Sequence, residues 1–596
     1  MRFLFLLVAA VPLFVFVPSC SSDDAASTDP NADADAGGSS GTSGSSGTSG
    51  SSGTSGSSGT SGASGSSGSS GTSGSSSGDT PIDDCPKGFT RTGDRCASNG
   101  GTTYYVRPDG GNLTQCDGKT DAPYSANANR ACAWKHPFYA LPPKKSTLQS
   151  PFAGGDVLML AAGDYAMGAG GINDTGYGPC DTPSGTSYDC ETRPIPSGTD
   201  ALPTRIVGAG FDGMCSAAPE LWGTYRSAQV LNMTGSSNVT IACVDITDHA
   251  QCTRFHASNE FKCNDAQGVV EGYGYVGIYA EDSQHIELRD MKIHGLDRGI
   301  QAGRIGDWTL DRVHIRGNLS AGFDGDISGD DHNTGPVTLR NGSISWSGCI
   351  ERYPNPEGEP VGCLSQDRGG YGDGLGTGAT SGEWTFDHFD FLYNVSDGLD
   401  LLYLDNANSH VEVKNSHYEG NAGNAIKLAQ GGHVVSNVTV VGNCGFFNQP
   451  TKWPDMVNHC RALGNTFSLG SSANDAPIKI SNVSGWSEGD CFMLYSGPIE
   501  LKDSIAVGAK DFHQTSETSC FAYTEDGASI TVENTALYNF KSGCDKGLNG
   551  ACSDPHYKAG AATQSSHDDP TYAFDLSLAP DSPLAGRVPP LGSQQP

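Results

Sequence analysis

The chain has 596 residues, with 35 basic against 67 acidic side chains, and 81 glycines. The strong acidic balance argues against nucleic acid or an anionic membrane surface as a partner, because both carry negative charge. It would also repel a polyanionic substrate unless cations bridged the two. The glycine content makes helix an unlikely main element.

An export signal is predicted over residues 1–19. Arg2 precedes an apolar run that continues through Val17, as in secretory signal peptides. The segment Val17-Pro18-Ser19-Cys20 resembles a bacterial lipobox, which implies that Cys20 is lipidated and becomes the mature N-terminus. The alternative is an ordinary signal peptide cleaved nearby. We therefore expect a protein of the cell envelope, lipid-anchored in the outer membrane, or else an extracellular protein.

A flexible tether is predicted for residues 20–82. Ser-Gly-Thr-Ser-Gly units repeat between Gly41 and Gly74, and this composition offers almost no apolar side chain to bury. A coil of about 60 residues spans on the order of 40–45 Å, so the tether and its lipid would hold the folded part clear of a membrane. A small disulfide loop is predicted for residues 83–99 and one folded domain for residues 100–596.

The cysteines predict disulfides. The 19 cysteines less Cys20 leave 18, an even number that suits nine disulfides in an exported chain. No C-x-x-C pair with a matching partner indicates a metal site. Seven pairs that are close in sequence are expected to staple loops: Cys85 and Cys96, Cys116 and Cys132, Cys180 and Cys190, Cys252 and Cys263, Cys349 and Cys363, Cys444 and Cys460, and Cys544 and Cys552.

Short alternating runs predict strands throughout the folded domain. Their spacing of about 20–30 residues is typical of a solenoid, whereas a β-sandwich would turn every 8–12 residues. We therefore predict an all-β parallel β-helix of about ten coils, with insertions that are largest at residues 353–368 and 444–460. An Asn often follows a run, and Asn tolerates the left-handed backbone of a corner. The runs are 238–241, 285–288, 307–310, 336–339, 383–386, 410–413, 433–435, 478–480, 499–501 and 529–532.

One sequence motif occurs three times, at intervals of 24 and then 27 residues. Its copies are Gly372–Thr377, Ser396–Leu401 and Gly423–Leu428. Each contains a polar residue, an apolar residue two places later and then a variable residue. Side chains alternate along a strand, so the variable residue points outward where the apolar one points inward. Stacked strands lie about 4.8 Å apart, which is expected to place Lys427 beside Asp400.

The same register extends to neighbouring coils. Charge gathers in the middle coils, which a merely solvated face does not require. The predicted outward column is Gln301, Asp324, Gly376, Asp400, Lys427, Ser468 and Met493, and its companion two places before the apolar residue is Arg298, Ala321, Asp373, Asp397, Asn424, Asn465 and Asp490.

Three carboxylates of this register, Asp373, Asp397 and Asp400, are predicted to crowd together. Like charges this close are costly unless protonated or bound to a cation, and hard oxygen ligands suit Ca²⁺. Turn formation is the alternative, because Asp-Gly pairs are ordinary turn formers. It accounts for Asp373 and Asp397 but not for Asp400, which stands between two leucines in a strand.

Lys427 is the candidate general base. It stands between Ile426 and Leu428, so its side chain leaves through the outer face. Beside a bound dication and partly desolvated, its pKa is expected to fall, and a neutral lysine accepts protons. The alternative is an ordinary exposed lysine.

At these residues the chain resembles the family 9 polysaccharide lyases, pectate lyases built on a right-handed parallel β-helix. The match rests on Asp397-Gly398-Leu399-Asp400-Leu401, on Gly423–Leu428 and on Asp373 in the preceding coil. Residues 104–110 and 154–165 also resemble the beginning of β-helix proteins of the pectate-lyase superfamily. The resemblance implies Ca²⁺ on Asp373, Asp397 and Asp400, with Lys427 as Brønsted base. One departure is Ser396, where the family pattern has a further aspartate.

The implied reaction is β-elimination on a uronate polymer resembling pectate. Ca²⁺ would bridge the carboxylates and a substrate uronate, acidifying the proton at C5 that Lys427 removes. Asp324, Asn424 and Arg298 are candidate substrate-binding residues. Three aromatic residues are candidates for sugar stacking, with core packing or loop cover as the alternative: Tyr371, Trp384 and Tyr403.

Two other functions stay open. A glycoside hydrolase would need two carboxylates flanking the bond, as Asp324 with Asp400 or Asp373 with Asp397. A non-catalytic, surface-tethered β-helix would serve in carbohydrate binding or adhesion. In each case we expect a monomer that meets an acidic polysaccharide, touches a membrane only through its lipid and binds no nucleic acid.

Overall fold

The computed structural model of the protein describes residues 85–594, except 94, 182–189, 214, 224–226, 251–273, 328–331, 355–359, 366–371, 457–458, 473–474, 515, 525–526 and 588–589. The predicted signal peptide, Cys20, the whole tether, the Cys252–Cys263 pair and Tyr371 lie outside the described residues. Among the residues that are described, no helix combines the length and apolar composition needed to cross a membrane.

Strands dominate the described chain. Six short 3₁₀ helices cover Pro137–Tyr139, Gly178–Cys180, Cys444–Phe447, Arg461–Gly464, Cys544–Lys546 and Leu548–Gly550. The strands in chain order are β1 (Phe89–Thr92), β2 (Arg95–Ser98), β3 (Thr103–Gly111), β4 (Val157–Leu160), β5 (Asp164–Ala166), β6 (Cys190–Glu191), β7 (Thr204–Gly208), β8 (Glu220–Gly223), β9 (Ser227–Asn232), β10 (Ser237–Ala242), β11 (Asp245–Asp248), β12 (Val276–Glu281), β13 (Gln284–His294), β14 (Arg298–Gly303), β15 (Gly306–Arg316), β16 (Phe323–Gly325), β17 (Val337–Ser345), β18 (Cys349–Ile350), β19 (Gly362–Cys363), β20 (Leu375–Thr377), β21 (Thr380–Leu392), β22 (Leu399–Leu401), β23 (Leu404–Lys414), β24 (His417–Glu419), β25 (Ile426–Ala429), β26 (Val434–Gly442), β27 (Phe467–Gly470), β28 (Ile478–Ser487), β29 (Cys491–Tyr495), β30 (Ile499–Lys502), β31 (Ile505–Gly508), β32 (Cys520–Tyr523), β33 (Ile530–Glu533), β34 (Ala536–Tyr538), β35 (Tyr557–Ala559) and β36 (Asp575–Leu578).

The predicted parallel β-helix is confirmed. An 11-stranded parallel sheet, here called the site sheet, stacks β6, β9, β12, β14, β16, β20, β22, β25, β27, β29 and β32. A 19-stranded sheet bends around the rest of each coil. One coil runs through β22, along β23, around a corner at Asn415, through β24 and back to the site sheet in β25.

The predicted runs stack in register in the 19-stranded sheet. Ile286 pairs with Trp308, Trp308 with Val337, and Val337 with Trp384. These side chains are buried in one continuous core. The alternation of apolar and polar residues thus sets which face of each strand enters the solenoid, because a slip of one residue would turn the apolar set outward.

The corners use Asn as predicted. Asn415 and Asn482 both have φ 53°, in the left-handed region that Asn tolerates better than most residues. Asn437 donates from Nδ2 to Asn415 Oδ1 at 2.7 Å, and Asn415 donates to Asp387 Oδ1 at 2.8 Å. Two side-chain amides and a carboxylate therefore form a ladder along the corners of adjacent coils.

Six of the seven predicted disulfides are confirmed, and the seventh lies outside the described residues. Two more, Cys215–Cys243 and Cys491–Cys520, join cysteines 28 and 29 residues apart. The confirmed pairs are Cys85–Cys96, Cys116–Cys132, Cys180–Cys190, Cys349–Cys363, Cys444–Cys460 and Cys544–Cys552.

Two insertions each precede a strand of the site sheet in the chain. Residues 443–466, which contain the Cys444–Cys460 disulfide, separate β26 from β27, and the β18–β19 hairpin lies between β17 and β20. Both insertions share one apolar cluster with Val395 and Ala422, beside the candidate site. Trp346, stacked on Tyr393 at 4.9 Å, packs against it. This cluster fixes the 443–466 insertion against the coils that carry the aspartates.

Candidate functional site

The predicted column forms across six neighbouring strands of the site sheet and begins with Gln301, which pairs with Asp324. Asp324 pairs with Gly376, Gly376 with Asp400, Asp400 with Lys427, and Lys427 with Ser468. The apolar residues one place earlier are fully buried: Phe323, Leu375, Leu399, Ile426 and Phe467. The alternation of side chains along each strand therefore places Asp400, Lys427 and Ser468 on the outer face of three consecutive coils.

The prediction for the last coil is wrong by one residue. Met493 pairs with Phe467 and is buried, while Leu494 pairs with Ser468 and takes the outward position. Phe492 is buried as well. Two consecutive apolar side chains made both registers compatible with the sequence, and packing against Phe467 selects the second.

Lys427 lies between two aspartates. Its Nζ is 2.7 Å from Asp400 Oδ2 and 3.2 Å from Asp397 Oδ2. The lysine side chain keeps 19% of its surface exposed, against 0% for Asp397. The ammonium group is therefore held at the outer face of the sheet, over a buried carboxylate.

Asp397 is the centre of the cluster. Its Oδ1 accepts from the backbone N–H of Asn424 at 2.6 Å and from Asn424 Nδ2 at 2.9 Å, and its own N–H donates to Asp373 Oδ1 at 2.9 Å. Gly423 allows this approach, since a Cβ there would lie 2.3 Å from Asp397 Oδ1. The Asp397-Gly398 and Gly423-Asn424 pairs thus contribute to the contacts of the aspartate cluster as well as to turn formation.

Burial and charge separate the pKa values of these groups. Burial raises the pKa of Asp373, with Asp397 adding to the effect and Arg461 opposing it. Burial would also raise the pKa of Asp397, but Lys427 and Arg461 outweigh it and the pKa is lowered. Burial raises the pKa of Asp400 to about 7 against the opposing charge of Lys427.

The lowering of the pKa of Lys427 expected beside a bound dication stays a prediction, and without the cation the pKa is raised instead. Burial alone would lower the pKa of Lys427, but Asp397 and Asp400 outweigh burial and raise it. The expectation assumed a bound dication in place of two uncompensated carboxylates. With the carboxylates themselves as neighbours, the ammonium form is stabilised.

Arg461 completes the cluster, and sequence reasoning missed it. It follows Cys460 at the end of the disulfide-closed segment, and its Nη1 donates to Ser396 Oγ and lies 3.9 Å from Asp373 Oδ1. Ser396 is thus the partner of an arginine at the position where an aspartate is absent. The neighbouring disulfide was the only sequence signal, and it does not say where the insertion points.

The candidate substrate-binding residues separate into two places. Asn424 belongs to the aspartate cluster through its bonds to Asp397. Arg298 and Asp324 instead pair with each other, Nε to Oδ2 at 2.9 Å, and Arg298 also contacts Asp297 at 3.1 Å. The arginine and aspartate therefore form a charged group of the preceding coils of the site sheet.

Of the candidate stacking residues, Trp384 is fully buried in the core, so its expectation as a sugar platform is wrong and core packing holds. Tyr403 keeps 54% of its surface exposed and follows Asp400 by three residues. Of these two aromatic residues, Tyr403 is the exposed one.

The donor set fits a hard cation. Asp373, Asp397 and Asp400 offer carboxylate oxygens, which Ca²⁺ prefers. Asn424 Oδ1 is buried and has no hydrogen-bond partner among the described residues, and its orientation is fixed because Nδ2 must donate to Asp397. This amide oxygen is a further hard donor at the cluster.

The three aspartates do not converge as tightly as a preformed metal site. Within the described ranges, the trio of carboxylate and imidazole ligands whose donor atoms all lie within 4.8 Å of one another is Asp490, Asp511 and His513. The groups of that trio already have partners, since His513 Nδ1 contacts Asp490 at 2.7 Å and Asp511 is paired with Lys541 at 3.3 Å.

Comparisons with known proteins give structural similarity without sequence similarity. No protein-family model matches the chain, and neither does any curated protein sequence. Pectate lyase Pel9A is 15% identical over 81% of this chain and 90% of its own, with a TM-score of 0.38. A variant of the PL6 family alginate lyase AlyGC is 11% identical over 72% of this chain and 55% of its own, with a TM-score of 0.32.

A third solved structure, a rhamnogalacturonan lyase, is 14% identical over 74% of this chain and 75% of its own, with a TM-score of 0.24. These three are among the solved structures to which the chain is similar. At such identities and TM-scores the similarity does not indicate a function.

Proposed function

We propose that the protein is a Ca²⁺-dependent polysaccharide lyase that cleaves a uronate polymer of the pectate type by β-elimination, with Lys427 as the base. The observation that carries this proposal is the position of Lys427 Nζ, 2.7 and 3.2 Å from two carboxylates of the preceding coil. A lysine and three aspartates on adjacent coils combine a proton acceptor with ligands for a cation.

Asp373, Asp397 and Asp400 would hold the Ca²⁺, with Asn424 Oδ1 as a further oxygen donor. When bound, the cation supplies charge that polarises a substrate carboxylate and acidifies the adjacent C5–H. It also answers the charge problem, because an acidic protein and an acidic polymer repel each other without a bridging cation.

Lys427 takes the C5 proton on Nζ. The C5–H electron pair forms the C4=C5 double bond, the C4–O bond breaks, and the departing oxygen takes up a proton. A general base must be neutral, yet Asp397 and Asp400 hold the ammonium form of Lys427. The base role therefore requires the charge of these carboxylates to be compensated, which is the physical reason for proposing cation dependence.

Burial argues against the glycoside hydrolase. Asp373 and Asp397 are both buried and bonded within the cluster, Asp373 to the Asp397 N–H and Asp397 to Lys427, so neither carboxyl group is placed to lie directly against a sugar bond on the outer face. Asp324 is buried too and is engaged by Arg298. A hydrolase needs two carboxyl groups flanking the bond, and these pairs do not offer them.

A non-catalytic carbohydrate-binding module is the second candidate. The ion pairs of Lys427 favour it, because a permanently protonated lysine binds carboxylates without taking a proton. Under either function the folded part would be exported and tethered through Cys20, would act as a monomer, and would meet an acidic polysaccharide as its partner.

Product analysis distinguishes these functions. The protein is incubated with polygalacturonate and with alginate, and ultraviolet absorbance and reducing ends are followed together. A lyase raises both, because each cleavage leaves a conjugated C4=C5 bond on one fragment and a new reducing end on the other. A hydrolase raises reducing ends alone, and a binding module raises neither.

A further inference from the structure

Arg461 is brought to the aspartate cluster by an insertion of the fold, not by the coil repeat. The Cys444–Cys460 disulfide closes the segment just before it, and the Arg461 N–H donates to Ala422 O at 2.6 Å. Trp453 and Met456 of the same insertion are buried against Val395. The backbone bond and the apolar cluster attach the insertion to the coils, so the guanidinium group is not needed for that attachment.

The guanidinium group keeps most of its donors available. Among the described residues, Nη1 donates to Ser396 Oγ, whereas Nε and Nη2 donate to no protein acceptor. Its ion-pair distance to Asp373 is 3.9 Å, and 20% of the side chain is exposed. A guanidinium group has five N–H donors in a planar fork that matches a carboxylate bidentately. The unused donors therefore form a ready carboxylate-binding group.

The position of these donors matters for the proposed reaction. Asp373, which Arg461 approaches, accepts from the N–H of Asp397, and Asp397 in turn contacts Lys427. The arginine thus approaches the same aspartate cluster that Lys427 contacts, and part of its side chain is exposed to solvent. A uronate polymer carries one carboxylate on every sugar, so a chain that crosses Lys427 brings carboxylates to its surroundings.

We propose that Arg461 binds a substrate carboxylate beside the cleavage point and makes the site select free uronates over esterified ones. This inference rests on the proposed function, since it assigns a specificity-determining residue to that same site. Ser396 accepts a hydrogen bond from Arg461 Nη1 and so positions the guanidinium group without neutralising the charge of that group. An aspartate at position 396 would form an ion pair with the guanidinium group and compete with the substrate.

The test compares wild type with Arg461→Ala and Arg461→Lys on charged and esterified polymers. The substrates are polygalacturonate against highly methyl-esterified pectin, and alginate against its propylene glycol ester. We expect Arg461→Ala to lower kcat/KM on the free uronate by about 10- to 100-fold, the range of a lost charge-assisted pair, with little change on the ester. Arg461→Lys keeps the charge but loses the planar fork of donors. Its ratio of kcat/KM on the free polymer to kcat/KM on the ester should therefore lie between those of wild type and Arg461→Ala.

Lys452→Ala is the matched control, because it removes a cation from the same insertion. Its Nζ lies 5.0 Å from the ring centroid of Trp453, and the discrimination between free and esterified polymer should stay at the wild-type value. A merely structural role of Arg461 would lower both activities together and leave their ratio unchanged, and that result would overturn the proposal.

A binding measurement separates this inference from the proposed function. Calorimetry with tetragalacturonate is performed on Lys427→Ala and on Lys427→Ala/Arg461→Ala, and on wild type and Arg461→Ala if wild type forms no product. Absence of product would refute the proposed lyase function but not the proposed carboxylate-binding role of Arg461. Weaker binding without Arg461 supports the carboxylate site, whereas equal affinity, or no binding to the protein that keeps Arg461, refutes it.

Discussion

Replacing Lys427 by methionine tests how much the ion-pair cluster contributes to stability. Methionine keeps the unbranched stem but removes the ammonium group from Asp397, whose side chain is 0% exposed, and from Asp400. Removing one partner of a buried ion pair costs about 3–5 kcal/mol. For a folded chain of about 500 residues the unfolding entropy is roughly 1 kcal/mol per kelvin, so the melting temperature should fall by about 3–5 °C.

The deficit should also depend on pH. Burial raises the pKa of Asp400 to about 7. Because this folded-state pKa lies above the unfolded value near 4, the contribution of Asp400 to stability is fully present below about pH 4 and is lost as pH rises through 7. Without Lys427 that loss is larger, so the variant should lose more stability at pH 8 than at pH 5.

Thermal melts and urea midpoints at pH 5 and pH 8 measure this effect. Lys479→Met is the matched control, since Lys479 is exposed on β28 and no ion pair involves it in the described part of the chain. A Lys427→Met deficit below about 1 °C, or one that is equal at both pH values, would show that the ammonium group does not compensate buried carboxylates.

Three further predictions concern the scaffold and the cation. Burial alone would lower the pKa of His294, but Asp245 and Glu351 raise it to about 10. The stability from this group is thus fully present below about pH 6.5 and lost as pH rises through 10, so His294→Gln should flatten the melting temperature of the protein over that range. Asn415→Ala should cost about 1–2 kcal/mol in urea unfolding because of its left-handed φ, and Asn415→Gly less. Ca²⁺ should raise the wild-type melting temperature relative to chelator, and Asp400→Asn should shrink that shift.

The sequence was sufficient for the coil register around the site. Leu375, Leu399 and Ile426 stand alone between polar or small residues at the point where the register is read, so only one alternation buries them. Where two apolar residues are adjacent, as in Phe492-Met493, both registers bury a large side chain and the pattern cannot choose. Tertiary packing decided that coil.

Arg461 and the ionisation of the site were beyond the sequence for another reason. A disulfide and an aromatic cluster set the conformation of the described part of residues 443–466, and neither feature has a sequence period that would predict where the insertion lies. The pKa of Lys427 depends on distances of about 3 Å to two carboxylates. Strand register predicts that these groups are neighbours but not how close their atoms come.

In the proposed mechanism, Lys427 removes a proton from a uronate with the help of a cation. The most direct test follows ultraviolet absorbance of the unsaturated product from polygalacturonate, then alginate, for wild type and Lys427→Ala, with Ca²⁺ and with chelator. We predict that absorbance rises only for wild type with Ca²⁺, with a loss of at least 10²-fold in Lys427→Ala, as expected for a general base. Undiminished product formation by Lys427→Ala, or by wild type in chelator, would contradict the mechanism.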